Sequence, residues 1–275
     1  MSMRVLRHAN PDSFLDCAES WLLQAEAENN LIFGIARSLQ AEAAPAACNL
    51  LLTIHEGEPV VGCALRTPRS LLVTRMEPTA VEALAHSLRA ELPSLPAVMG
   101  PEPSSGEFAA RWSTLQREPC RVRNRGRFYV LRRVRAGLSN TPGHLRPATS
   151  SDLELVTHWV AEFVQDISQD SREVAMQRIT AGQLYLWQAS VPVSMAALTG
   201  VTPNGRRVGM VFTPPAERRH GYAGACVAAL SSAVLSMGSS YCCLYADLAN
   251  LTANGIYARI GYKPIYDAAE YSLTG

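Results

Sequence analysis

The sequence predicts an α/β chain built from two tandem halves, and three observations carry that expectation. Residues 135 to 151, "RAGLSNTPGHLRPATSS", are rich in Gly, Pro, Ser, Thr and Asn, the composition of a connecting segment. On either side of it the chain starts alike. "VLRHANPDSFLDCAESWLLQ" and "HLRPATSSDLELVTHWVAEF" each read as a short strand, a capped turn and an amphipathic helix. Each half then continues with a second helical stretch, strands joined by tight turns, and a further helix. The expected halves are 1–139 and 140–275.

Each element has its local reason. In the first half "NLLLTIHEGEPVVGCALRT" is two strands about the turn "EGEP", followed by the strand "SLLVTR", a helix over 79–91 and the strand "RFYVLRRV". In the second, Ser150 or Ser151 is placed to cap a helix on which Leu153, Val156, Val160 and Val164 recur at helical spacing. The strands "QLYLWQAS", "VSMAALTG" and "RRVGMVFT" follow, with "TPNG" turning between the last two, and then a helix over 222–237.

Composition bounds the function. With 48% hydrophobic and 18% charged residues, 275 residues can bury large cores. A net charge of +1 gives no global pull toward nucleic acid or acidic membranes. Lys263 is the one lysine, so the positive charge is arginine. The seven cysteines, Cys17, Cys48, Cys63, Cys120, Cys226, Cys242 and Cys243, form no C-x-x-C pair and suggest neither a zinc ribbon nor a dithiol. "MSMRVLRHANPDSF" has no apolar signal core, and no apolar run reaches about 18 residues. A cytoplasmic setting is expected.

The segment "VFTPPAERRHGYAGACVAAL" (211–230) carries the most chemistry. Pro214 and Pro215 end a strand, because proline cannot donate to a ladder. A basic loop then enters a helix whose start is nearly bare, at Gly221, Ala223 and Gly224. Early helix N–H groups have no intrahelical partner and sit at the positive end of the macrodipole, where small residues admit a diphosphate and Arg218 and Arg219 add charge. The pattern is neither a Walker loop nor a G-x-G-x-x-G turn. Close packing of small residues on a sheet would also account for it.

"RRHGYAGACVAAL" resembles the pyrophosphate-binding segment of the GNAT acyltransferase superfamily, Q/R-x-x-G-x-G/A, with Arg218, Gly221 and Ala223 at its three defining positions. Downstream, "YCCLYADLANLTANGIYARIGYKPI" resembles the superfamily's second cofactor segment, with Asn250, Asn254 and Tyr257 matching and Gly261–Tyr262 closing the helix. The resemblance covers about residues 143 to 275. It implies tandem domains, each a mixed, mostly antiparallel twisted sheet flanked by helices. It further implies acetyl-CoA as cofactor. The backbone of Val211, Phe212 and Thr213 would face the pantetheine arm, and Arg218, Arg219, His220, Gly221, Tyr222, Ala223 and Gly224 the pyrophosphate. Asn250 and Asn254 would bind the arm from the other side, and Tyr257 would be the acid that meets the thiolate.

The implied reaction is direct attack of an amine on the acetyl thioester. A lysine-like amine, with a pKa of about 10.4, is disfavoured as its neutral form at pH 7 by roughly 4.6 kcal/mol, so a base or water chain must take its proton. Glu162, Asp166, Asp170 and Glu173 sit on the helices that would wall the acceptor, but each reads first as a solvated charge. His158 reads as a half-buried structural histidine, and Asp247 as a cap for the following helix or a group that orients a water. The first half lacks the loop: Met76-Glu77-Pro78 stands in its place, so it reads as a degenerate copy. Arg121, Arg123, Arg125 and Arg127 alternate on one strand face, suited to an acidic ligand or to an exposed edge balanced by glutamates.

The expectation is an acetyl-CoA-dependent N-acetyltransferase acting on a small-molecule or peptide amine. No nucleic-acid or membrane partner and no metal are expected, and the chain would be a monomer or homodimer. The alternative is a non-catalytic CoA- or acyl-CoA-binding sensor.

Overall fold

A computed structural model describes residues 3–41, 50–135, 141–163 and 170–274. Val164, Asp166 and Cys48 lie outside them. By internal contacts the chain forms two compact units. The first holds residues 1–128, 246–250 and 264–275; the second holds 129–245 and 251–263. The units are therefore interleaved in sequence, which a single cut between residues 139 and 140 does not express.

Unit 1 begins with β1 (Met3–His8), α1 (Pro11–Gln24) and α2 (Asn30–Ala41). Asn10 caps α1, its side chain accepting from Ser13 N–H at 2.8 Å. Next come β2 (Leu50–Glu56), β3 (Val60–Arg66) and β4 (Leu71–Val73), then α3 (Pro78–Glu91), β5 (Ala97–Pro101), α4 (Ser104–Gln116) and β6 (Arg121–Leu131), whose last three residues belong to unit 2. The strands run in the order β1-β2-β3-β4-β5, and β12 (Lys263–Ser272) pairs antiparallel with β5 from Ala268↔Pro101 to Ser272↔Ala97. The pairs β1–β2, β2–β3 and β3–β4 are antiparallel and β4–β5 is parallel. Alternation along β2 feeds two cores. Leu50, Leu52 and Ile54 pack with Leu84, Leu88, Phe108 and Trp112 of α3 and α4. Leu51 packs on the other face with Phe14, Leu22 and Phe33 of α1 and α2.

Unit 2 repeats the plan: β7 (His144–Pro147), α5 (Leu153–Phe163), α6 (Ser171–Thr180), β8 (Leu184–Gln188), β9 (Pro192–Val201), β10 (Gly205–Phe212), α7 (Tyr222–Ser236), β11 (Tyr241–Asp247) and α8 (Leu251–Ile260). Its strand order is β7-β8-β9-β10-β11, antiparallel except for the parallel β10–β11 pair. Both units thus read strand, two helices, three antiparallel strands, helix, parallel strand. The turns "EGEP" and "TPNG" lie where expected, closed by Glu56 N–H to Pro59 O and Thr202 N–H to Gly205 O.

The cap of the second half's first helix differs from expectation. Thr149, not Ser150 or Ser151, is the N-cap, preceding a short 3₁₀ turn over 150–152 that runs into α5. Asp152 decides this. Its Oδ2 accepts Thr149 N–H at 2.8 Å, completing a capping box, and Arg146 holds both carboxylate oxygens at 2.8 Å. His158 is also corrected: it is exposed and pairs with Glu162 at 2.9 Å, because Val156, Trp159 and Val160 define the buried stripe of α5.

Candidate active site

β10 and β11 pair in parallel from Gly205↔Tyr241 to Arg207↔Cys243, where the register ends. Both strands run on, β10 to Phe212 and β11 to Asp247. β10 also breaks register against β9 twice, between Arg207 and Val208 and between Gly209 and Phe212, with Met210 at φ 50°. Such bulges turn backbone groups out of the ladder, which frees part of the 208–212 backbone for another partner. Ser194 pins the end of the strand. Its hydroxyl donates to Phe212 O at 2.9 Å and lies 2.9 Å from Thr213 Oγ1. The Phe212 ring points into the core, 6.1 Å from Trp159. Val211 and Thr213 beside it are half-buried.

Beyond Pro214 a 3₁₀ turn over 215–217 delivers the basic loop. Arg218 Nε–H donates to Thr213 O at 3.1 Å, and His220 Nδ1–H to Glu217 O at 3.3 Å. The His220 and Tyr222 rings stack at 5.6 Å. Arg219 and Gly221 adopt φ 69° and 84°, left-handed values that reverse the chain into α7. Gly221 is the N-cap rather than part of the first turn, and the first i→i−4 bond runs from Ala225 N–H to Gly221 O at 3.0 Å. The N–H groups of Tyr222, Ala223 and Gly224 precede that bond at the positive end of a 15-residue helix. Arg218, Arg219, His220 and Gly221 are exposed.

α8 passes close by: a Cβ added to Gly224 would stand 3.5 Å from Ile256 Cγ2. Tyr257 follows on α8, 7% exposed. Burial, with a smaller part from Tyr129, pushes its phenol up to about 12. At neutral pH it holds its proton and can donate it. Gly261, at φ 112°, ends the helix, and the N–H groups of Gly261 and Tyr262 both reach Tyr257 O. The Tyr262 hydroxyl meets Ser231 Oγ at 2.8 Å, tying α8 to α7.

Tyr129 is the site residue that the sequence did not reveal. Its hydroxyl donates to Asn254 Oδ1 at 2.7 Å and its ring lies 6.3 Å from that of Tyr257. Asn254 is half-buried. Asn250 is exposed on the turn before α8, donating to Asp247 O at 3.1 Å, in the short segment that clusters with unit 1. Unit 2 therefore gathers the 211–224 segment, Asn254 and Tyr257, and Asn250 falls outside that group.

Asp247 accepts Ala249 N–H at 2.8 Å and so shapes the turn before α8. Asp170 is the N-cap of α6, accepting from Arg172 and Glu173 N–H, and Glu173 accepts from Gln177. On β6, Arg121, Arg123 and Arg125 are exposed and Arg127 is half-buried, and the last three are matched by carboxylates. Arg127 grips Asp267 at 2.6 and 3.0 Å, and Arg123 and Arg125 lie 3.9 Å from Glu270 and Glu102. That is a balanced strand face, worth little to stability.

Strand, bulge, basic loop and open helix end, set beside a buried tyrosine, stand on a fold that this chain shares with solved GNAT-type structures, its plan appearing once in each unit. Residues 190–272 match the family model described as FR47-like protein. No curated protein matches the chain in sequence. Among solved structures, a Drosophila protein aligns with a TM-score of 0.71 at 12% identity, covering 99% of this chain and 98% of its own. A GCN5-related N-acetyltransferase from Sphaerobacter thermophilus aligns at 0.62 and 14%, covering 99% and 96%. A tandem GNAT protein from the clavulanic acid biosynthesis pathway aligns at 0.57 and 14%, covering 98% and 97%. Among the described residues no helix is long and apolar enough to cross a membrane.

Proposed function

We propose that the chain is an acetyl-CoA-dependent N-acetyltransferase acting on a primary amine in a cytoplasmic setting, with its site in unit 2. The observation that carries this reading is the early end of the β10–β11 register together with the bulge at Met210. An extended chain with amide groups finds backbone partners there, in the manner of an added strand. The residues present fit acetyl-CoA. Tyr222, Ala223 and Gly224 present backbone N–H groups, Arg218 and Arg219 add two cations, and no side chain projects from Gly221 or Gly224 into the approach of a diphosphate.

When bound, acetyl-CoA supplies the thioester from which the amine takes its acetyl group. The N–H groups of the bulged segment near Phe212 then favour charge developing on the carbonyl oxygen. Tyr257, protonated up to about pH 12, gives its proton to the departing sulfur. Tyr129 fixes the amide of Asn254 with Oδ1 toward its own hydroxyl, so Nδ2 faces the opposite way. The acceptor is deprotonated by water or by a carboxylate of the α5–α6 region.

Calorimetry with CoA and acetyl-CoA tests the reading. One site per chain is expected, and Gly224→Glu should weaken it at least about 100-fold, near 2.7 kcal/mol. Gly224 is a better target than Gly221, whose φ of 84° strains any side chain. Absent binding to the native protein, or undiminished binding to the variant, overturns the proposal. Binding without amine-dependent thiol release would identify a sensor.

A further inference from the structure

Unit 1 holds a polar cluster that the proposed transfer does not use. Thr53 and His55 project from β2 on the side of α1, fully buried and 4% exposed, where alternation calls for apolar residues like Leu51. His8, on β1, places Nε2 at 2.9 Å from Thr53 Oγ1, and His55 Nε2 reaches the same oxygen at 2.9 Å. Cys17, half-buried on α1, sets its sulfur 3.8 Å from His55 Nε2 and 3.9 Å from Thr53 Oγ1.

The protons can be assigned. His55 Nδ1 lies 2.9 Å from Glu58 O, and a carbonyl only accepts, so Nδ1 carries hydrogen and Nε2 of the neutral ring is a base. Thr53 Oγ1 lies 2.9 Å from both His55 Nε2 and His8 Nε2, so its one proton can serve either ring, and the Cys17 thiol stands 3.8 Å from the basic Nε2 of His55. If the thiol proton moves to His55, the same heavy atoms satisfy the charged state. His55 Nε2–H then donates to Thr53 Oγ1, and the threonine proton turns to the thiolate. A base whose far nitrogen is held by Glu58 O, with a hydroxyl beside both it and the sulfur, lets the thiol proton move with no heavy atom displaced, as a nucleophilic sulfur requires.

From this geometry we infer that Cys17 is a reactive thiol in unit 1, with His55 as its base and Thr53 as the donor that holds the thiolate, and that it is a modification site for hydroperoxides. The sulfur attacks the distal peroxide oxygen and the O–O bond breaks. The sulfur is oxidised by two electrons to sulfenic acid while the peroxide is reduced to an alcohol or water. His55 returns the thiol proton to the departing oxygen.

The test is alkylation of the native full chain by iodoacetamide at pH 7, read at each cysteine by mass spectrometry. A parallel exposure to hydrogen peroxide is trapped with dimedone. Cys120, also half-buried, is the internal reference, and buried Cys63, Cys226, Cys242 and Cys243 report an intact fold. Cys17 should react at least about tenfold faster than Cys120, lose that advantage in His55→Gln, and carry the dimedone adduct. Thr53→Val preserves shape and should slow the reaction several-fold, so the role of the network stays testable even where His55→Gln does not fold. Equal rates at Cys17 and Cys120, a Cys17 rate unchanged in Thr53→Val, or a dimedone adduct spread over other cysteines would overturn the inference.

Discussion

The two units share a plan, and the difference between them is concentrated where a parallel strand pair meets the helix that connects it. In unit 1, β4 has three residues, and its two register pairs with β5, Leu71↔Val98 and Leu72↔Met99, reach nearly to its end. Gly100 is so close to β4 that a Cβ there would stand 2.5 Å from Val73 O. α3 then opens on Glu77 as N-cap and Pro78 in the first turn. Proline removes a donor and the glutamate brings negative charge to the positive end of the helix. In unit 2, β10 has eight residues, outruns its pairing and bulges, and α7 opens on Gly221, shortly after Arg218 and Arg219. The same topology is closed and acidic in one copy, open and basic in the other. Fold and proposed site are therefore separable: under the reading proposed above, a few residues at one strand-to-helix junction would convert a scaffold into an anion site.

The strongest way to break the contrast is Tyr257→Phe. It should lower turnover about 10²- to 10³-fold while leaving CoA affinity within a few-fold, in steady-state kinetics beside calorimetry. An unchanged turnover would show that the open junction alone suffices. Acid titration sharpens the contrast at the helix caps. α1 is capped by the amide of Asn10, which does not titrate, whereas the cap of unit 2 depends on Asp152, held down to about 2 mainly by its hydrogen bonds with Arg146. That stability is present above pH about 4 and lost as pH falls toward 2, and Asp152→Asn should remove about 2 kcal/mol at pH 7. Urea unfolding of both forms at pH 7 and at pH 2 checks this, since the difference should vanish in acid. The smallest effect is expected from Glu77→Ala. It removes the charge but not the proline or the closed strands, so calorimetry should still find one CoA site per chain, and a second site would dissolve the contrast.

Much of this was legible because it is local. Turns at "EGEP" and "TPNG", strand endings at Pro214, and the gly-rich entry to α7 follow from backbone preferences within a few residues. What escaped depends on partners far away in sequence. Ser150 and Ser151 are good capping residues, but the cap moved to Thr149 because Arg146 and Asp152 pair across the turn. His158 read as half-buried until the face of α5 was fixed by Trp159 and Val160. Tyr129 stands 125 positions from Asn254, and no spacing rule connects them. The Cys17, Thr53, His55 and His8 cluster comes from three elements and shows no motif in sequence.

The assignment of β12 to unit 1 bears on how the chain is made. Unit 1 draws its first strand from residue 3 and its last from residues 264–272, so on the ribosome it waits until residue 272 has been made while β5 keeps one unpaired edge. Without residues 264–272 that edge would be exposed, however complete the segment from 205 to 257 is.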